Sequence, residues 1–214
     1  MTGTISDRGD ATGDDLLEGR FEAGLADLYR ALGSLYLEPP EAETVGALRE
    51  WCRLVADDEE LPAPVADAVE TVLTASTDAD ELRPAFTRLF LAISEARSPP
   101  PPYESLYVDG TLNGASSTEL EAFYLEAGYE LAVDDELIDH AGYELAFLGE
   151  LCDRGDRRRQ RAFLEQFVGD WLPAFHEAAI QKDAPKFYRG VFALTEAVID
   201  LHLEALEEAG VTVQ

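Results

Sequence analysis

The chain has 214 residues, 46% of them apolar, enough for one domain of ordinary size or two small ones. Asp and Glu total 44 against 16 Lys and Arg, a net charge of −28, and only Lys182 and Lys186 are lysines. That balance excludes nucleic acid as a partner, because phosphate binding needs a basic surface. No apolar run approaches the roughly 18 residues of a membrane span, so membrane insertion is not expected.

The acids are spread along the whole chain, a pattern of proteins from salt-loving archaea, and a haloarchaeal source is expected. High net charge repels itself, and molar salt relieves the repulsion because the Debye length falls to about 3 Å at 1 M. The first 20 residues are polar and carry no apolar signal-peptide core, so a cytoplasmic protein is expected. Cys52 and Cys152 are far apart and fit two free thiols in a reducing compartment.

Residues 1–19 read as a disordered tail, and 20–97 as an N-terminal helical part. The first helix spans about Arg20 to Leu37, with Leu25, Leu28, Leu32 and Leu35 on one face and Tyr29 and Tyr36 beside them. Pro39-Pro40 ends it. A second helix runs from Glu41 to Asp57, and a third opens at Pro62 and Pro64. Asp78 or Asp80 caps a fourth, which carries Leu82, Phe86, Leu89, Phe90 and Ile93.

Residues 98–115 then form a proline-rich linker. Pro99 to Pro102 cannot lie inside a helix, since each lacks a donor N–H, and they favour an extended path. The linker carries Tyr103 and Tyr107. It is either a plain interdomain connector or the aromatic wall of a groove.

Residues 116–214 form a C-terminal helical part. Asn113-Gly114 marks a turn, and Ser116 or Ser117 caps a fifth helix, with capping-box spacing in Ser116/Glu119 and Thr118/Glu121. Asp134 or Asp135 opens a sixth helix, which reaches Gly155. A seventh begins near Asp156 and is ended or kinked at Pro173. The last runs from about Ala184 to Ala209, where Gly210 stops it. No alternating strand pattern appears, so the fold class is all-α, about eight helices in two parts joined by the linker.

Few residues could carry chemistry. His140 and Glu144 are four apart and would share a helix face, as a metal-ligand pair, a structural hydrogen bond or the polar lining of a groove. There is no Gly-rich phosphate loop and no nucleophile elbow. The cluster Arg154, Arg157, Arg158, Arg159 and Arg161 fits helix-end electrostatics, with a contact for an acidic partner as the alternative.

Several stretches together resemble one family. They are Leu-Tyr-Arg-Ala-Leu-Gly-Ser-Leu-Tyr-Leu-Glu-Pro-Pro (28–40), Thr-Arg-Leu-Phe (87–90), Pro-Pro-Tyr-Glu-Ser-Leu-Tyr (101–107) and Glu-Ala-Phe-Tyr (121–124). Asp-His-x-x-x-Glu-Leu-x-Phe-Leu (139–148), Trp-Leu-Pro-x-Phe (171–175) and Phe-Tyr-Arg (187–189) complete the set. In this order they resemble the TorD/DmsD chaperones that mature molybdenum-containing oxidoreductases.

The resemblance implies a chaperone rather than an enzyme, with no catalytic residues, metal or cofactor of its own. Its partner would be the twin-arginine signal peptide or apo form of a molybdopterin enzyme of the DMSO/TMAO reductase type, held back from export until cofactor insertion. The binding residues it implies are Leu89, Phe90, Tyr103, Ser105, Tyr107, Asp139, His140 and Glu144. Asp139 and Glu144 would be rim acids receiving an arginine. The alternatives are a nitrate-reductase-type assembly chaperone for a cytosolic catalytic subunit, and a metal-dependent hydrolase using His140 and Glu144. The hinge would permit a monomer or a domain-swapped dimer.

Overall fold

The structure, a computed structural model, describes residues 13–91, 96–129 and 137–213, with side chains from Glu22 onward. Among these the chain is helical, without a strand. The elements are α1 (Gly13–Leu37), α2 (Ala42–Val55), α3 (Ala63–Thr74), α4 (Ala79–Phe90), α5 (Glu104–Val108), α6 (Ala115–Glu126) and α7 (Ala141–Asp153). There follow α8 (Arg157–Phe163), a π-helical turn (Leu164–Val168), α9 (Gly169–Gln181) and α10 (Lys186–Glu208). The all-α class stands.

Most boundaries have the expected causes. Pro39-Pro40 follows α1, Pro64 lies in the first turn of α3, and Asp78 caps α4 by accepting from the Asp80 N–H. Gly155 and Gly210 take positive φ where α7 and α10 stop.

Other boundaries differ. The first helix starts at Gly13 rather than Arg20. The linker holds a short helix of its own, α5. Gly114, not a serine, precedes α6, and no side chain caps it. Ser116 is drawn away because its N–H and hydroxyl both donate to Asp109 Oδ2. Gly114 allows this, as a Cβ there would overlap the Asp109 side chain. The helix expected from Asp134 or Asp135 starts at Ala141, with His140 as its cap. Asp134, Asp135 and Ile93 lie outside the described residues, as do residues 1–12. The seventh helix is divided by the π-helical turn. Pro173 sits inside α9, where its missing N–H leaves the Gly169 carbonyl without its helical donor.

The two sequence parts pack into each other. α1 lies along α7, and α10 lies on α3, so one hydrophobic core runs through both. Tyr29 and Tyr36, seven apart and therefore on one face of α1, are fully buried. Their hydroxyls meet His202 Nδ1 at 3.1 Å and His176 Nε2 at 2.7 Å. The second nitrogens of these rings are also used, by Gln160 Oε1 and Glu196 Oε1. Both histidines thus tie the first helix to the last two. Burial holds them neutral, pushing His202 down to about 4 and lowering His176 as well.

The crossing of α1 and α7 is unusually close. A Cβ on Gly142 would lie 2.7 Å from the Gly33 carbonyl oxygen, and one on Gly33 would lie 2.7 Å from the Gly142 oxygen. About two turns along, a Cβ on Gly149 would meet the Ala26 oxygen at 2.9 Å. Backbone touches backbone at two levels, so only glycine fits.

Gly33→Ala or Gly142→Ala should therefore destabilise by about 1–3 kcal/mol through overpacking. Gly24→Ala, on α1 with nothing within 4 Å of the new methyl, should gain about 0.5–1 kcal/mol. Urea unfolding of the three variants checks both signs.

Candidate functional site at the linker and the start of α7

The prolines carry the chain without helix to Pro102, where it bends to meet the residues before α7. Glu104 N–H donates to the Asp139 carbonyl and Ala141 N–H to the Pro102 carbonyl, both at 2.9 Å. Tyr103 and His140 thus pair as an isolated antiparallel bridge, with rings edge-to-face at 5.0 Å. Two stretches 37 residues apart are brought together by backbone bonds that a linear pattern does not reveal.

Asp139 is fully buried under this bridge. Its Oδ2 accepts from the Ser105 N–H at 3.0 Å and the Ser117 hydroxyl at 2.9 Å. One carboxylate therefore ties α5, α6 and α7 together. Ser105, also fully buried, accepts from the Asn113 N–H through its own hydroxyl. His140 does not pair with Glu144 across a helix face. Its Nδ1 accepts from the Gly142 N–H at 3.1 Å, which makes it the cap of α7. Burial lowers it to about 4, so the ring is neutral at physiological pH.

Glu144 is fully buried and accepts at Oε2 from Trp171 Nε1 at 3.2 Å. Tyr107 lies against Trp171, ring centres 5.5 Å apart, and its hydroxyl donates to the Pro100 carbonyl at 2.8 Å. Leu89 and Phe90 are buried at the end of α4. The Phe90 ring touches Tyr36, Phe86, Phe175, Tyr188 and Phe192, which makes it part of the aromatic core.

The structure thus brings Tyr103, Ser105, Asp139, His140, Glu144 and Tyr107 to one junction, with Leu89 and Phe90 in the core. The expectation of acids standing at a rim is not met. Asp139 and Glu144 face inward, and the outer surface is offered by the half-buried Tyr103 and Tyr107. Val108 and Leu112, just beyond them, are 56% and 45% exposed.

Sequence reasoning missed Glu104. It opens α5 and is only 3% exposed. Desolvation, then Asp139, Asp109 and Glu119, raise it to about 8. Desolvation and Glu104 hold Glu144 well above the carboxylate range. Nothing in the composition could single out one glutamate among 44 acids. Ser117, Asp109 and Trp171 were missed as positioning groups for a related reason, since their partners are remote or in irregular backbone.

Among the described residues, no three His, Cys, Asp or Glu side chains converge to hold a metal ion. The arginine cluster serves helix ends. Arg154 donates to the Ala127 carbonyl and lies 4.0 Å over the Tyr129 ring, and Arg159 reaches the Glu126 carbonyl. Arg157 pairs with Glu22, and Arg161 with Glu165 and the Val211 carbonyl. Cys52 and Cys152 are buried free thiols, and burial raises both.

The family model described as "Nitrate reductase delta subunit" matches residues 55–177, more than half of the chain. The chain belongs to that family, the TorD-type group that the ordered motifs indicated. Among curated proteins it is 29% identical over 199 residues to the chaperone protein TorD of Vibrio vulnificus, covering 83% of this chain and 92% of that one. It is 30% identical over 137 residues to a perchlorate reductase assembly chaperone protein of Dechloromonas aromatica, covering 56% and 61% of the two. A solved structure described as a redox enzyme maturation protein of Archaeoglobus fulgidus superposes with a TM-score of 0.52 at 21% identity. It covers 85% of this chain and 93% of its own, and so bears on the fold alone.

Asp139→Ala should leave the buried Ser105 N–H and Ser117 hydroxyl without an acceptor and cost about 2–3 kcal/mol. Asp139→Asn, which keeps an accepting oxygen, should cost less. Limited proteolysis of the linker should show faster cleavage for the alanine variant alone.

Proposed function

We propose that this protein is a maturation chaperone for a molybdopterin-containing oxidoreductase and performs no reaction of its own. It binds the N-terminal segment or signal peptide of the apo catalytic subunit in the cytoplasm and holds back twin-arginine export until the cofactor is in place. The observation that carries the reading is the pairing of the linker with the start of α7, which gathers the two most specific motif stretches into one junction. Family membership and relatives named as chaperones and assembly chaperones support it.

In this reading Tyr103, Tyr107 and the edge of His140 contact the apolar part of the client segment. Ser105 shapes the linker, and Leu89 and Phe90 back it from the core. Asp139 and Glu144 meet a basic head of the client when the linker lifts from α7, since both are buried while it is down. An arginine between two carboxylates forms short charge-assisted bonds that outlast salt. At molar salt the diffuse −28 charge cannot steer a ligand beyond a few ångströms, so apolar burial dominates affinity.

A second reading is favoured by the family description and by the perchlorate reductase relative: an assembly chaperone of the nitrate-reductase type, acting on a catalytic subunit without an export signal. The identity of the co-purifying subunit, isolated from the native host in its own salt, decides between them. A subunit with a twin-arginine leader supports the first, and one without it the second.

The binding itself is checked by calorimetry of the purified chain with the client's N-terminal peptide over a range of molar KCl. One-to-one binding that changes little with salt is expected, weakened at least tenfold, or about 1.4 kcal/mol, by a Tyr103→Ala/Tyr107→Ala double substitution. A steep fall in affinity with added salt would contradict the apolar mechanism.

A further inference from the structure

Three buried carboxyl groups that feel one another's charge lie where the linker closes on α7. Glu104 stands at the start of α5, Asp139 just before α7, and Glu144 in the first turn of α7. None is more than 3% exposed. Each keeps one buried oxygen with no hydrogen-bond partner: Glu104 Oε2, Asp139 Oδ1 and Glu144 Oε1. The hydroxyl of Tyr124, from α6, is likewise buried and unpartnered, and its ring feels the field of all three acids.

The groups around the cluster are neutral or acidic. Asp109 and Glu119 bear on Glu104, from the end of α5 and from α6. His140 is adjacent and neutral. α9 contributes the Trp171 N–H, which is a dipole and not a charge. No cation contributes to the shifts of Glu104 or Glu144. Three negative charges cannot coexist in such a place, because burial and mutual repulsion both act against them. Asp139 has the two donors that stabilise an anion, the Ser105 N–H and the Ser117 hydroxyl. Glu144 has one donor, the Trp171 N–H, and Glu104 Oε2 has none. Burial and mutual repulsion therefore hold Glu104 and Glu144 as carboxylic acids.

We propose that the linker is a proton-linked latch: it lies shut on α7 while Glu104 and Glu144 carry protons, and a cationic head of the client opens it by taking the protons' place. The latch rests on the burial and unpartnered oxygens of these acids together with their raised pKa values, and only the identity of the cation rests on the client reading given above. Opening places Glu104 and Glu144 in water, where each gives its proton to solvent and becomes a carboxylate. They then present two new anions to a guanidinium or ammonium group.

The sign follows from the direction of the shifts. Groups raised in the closed form stabilise closure fully below their ordinary range near 4.5, and that stability is lost as pH rises, through about 8 for Glu104, with Glu144 raised in the same direction. Within that window the opening constant rises about tenfold per pH unit for each carboxyl that must lose a proton.

Hydrogen exchange reads this directly. The Glu104, Ser105 and Ala141 amides are bonded across the junction. After correction for intrinsic exchange, the logarithm of their opening constant should rise with a slope approaching two between pH 5.5 and 7.5. The slope should fall to one in Glu104→Gln and to zero in Glu104→Gln/Glu144→Gln, while core amides of α10 stay level. A flat wild-type profile, or an equal slope in wild type and double variant, overturns the latch.

Should the double variant not fold, Trp51→Phe leaves Trp171 as the only tryptophan, reporting on Glu144 and Tyr107 beside it. A fluorescence transition at alkaline pH that moves in Glu104→Gln supports the proposal, and emission unchanged from pH 6 to 10 overturns it.

A synthetic peptide with two adjacent arginines and an apolar stretch tests the cation. Calorimetry at pH 7 in buffers of different ionisation enthalpy should show release of one to two protons per peptide bound. Binding without release overturns the exchange of cation for proton. A titrating latch with no peptide binding upholds the latch and overturns the client reading instead.

Discussion

The close crossing of α1 and α7 is the constraint on which the rest of the molecule depends. Glycines at 33, 142 and 149 let the two backbones approach so closely that no side chain fits between them. That contact joins the first helix of the chain to a helix more than a hundred residues later. It also presses the N-terminal turn of α7 into the interior, with Asp139, His140 and Glu144 on it. Had α7 stood one side chain further out, these three residues would face water. The linker would then have no buried acid to close upon. The histidine pairs of Tyr29 and Tyr36 hold the neighbouring face of α1 to α9 and α10.

The junction built on this frame is an unusual place to spend carboxyl groups. In a chain of net charge −28 most acids lie on the surface, where salt screens them. Glu104, Asp139 and Glu144 are instead removed from both solvent and salt. Their interaction is therefore strong, local and little affected by ionic strength. Buried polar groups that are only partly satisfied cost stability, and such a cost is tolerated where the groups serve a purpose. The unpartnered oxygens of these side chains place that cost at the linker.

How much of this was legible in the sequence depended on the range of the interaction involved. The stripe Leu25, Leu28, Leu32, Leu35 gave α1 because periodicity is local. Asp78 announced its cap for the same reason. The proline run was read correctly as non-helical, yet α5 inside the linker went unseen. Five residues offer too little periodicity, and the backbone bond from Glu104 to Asp139 that anchors the helix crosses more than thirty positions. The assignment of Ser116 and Thr118 to capping boxes failed because Asp109 competes for Ser116. The spacing of His140 and Glu144 suggested one helix face, but His140 is the cap and so points elsewhere. At the candidate site, Tyr103, Ser105, Tyr107, Asp139, His140 and Glu144 were expected from the motif order, whereas Glu104, Ser117 and Trp171 come to the junction only through packing.

By itself, then, the chain of residues determined the all-helical class, most helix boundaries and the family, since these follow from spacing between near neighbours and from motifs kept in order. The interleaving of the two parts, the inward direction of Asp139 and Glu144, and the gathering of three acids beneath the linker were decided only by tertiary structure. The physical reason is that burial is a property of the assembled core. An acidic side chain carries no mark of whether water or protein will surround it until glycine-mediated packing has closed one helix upon another.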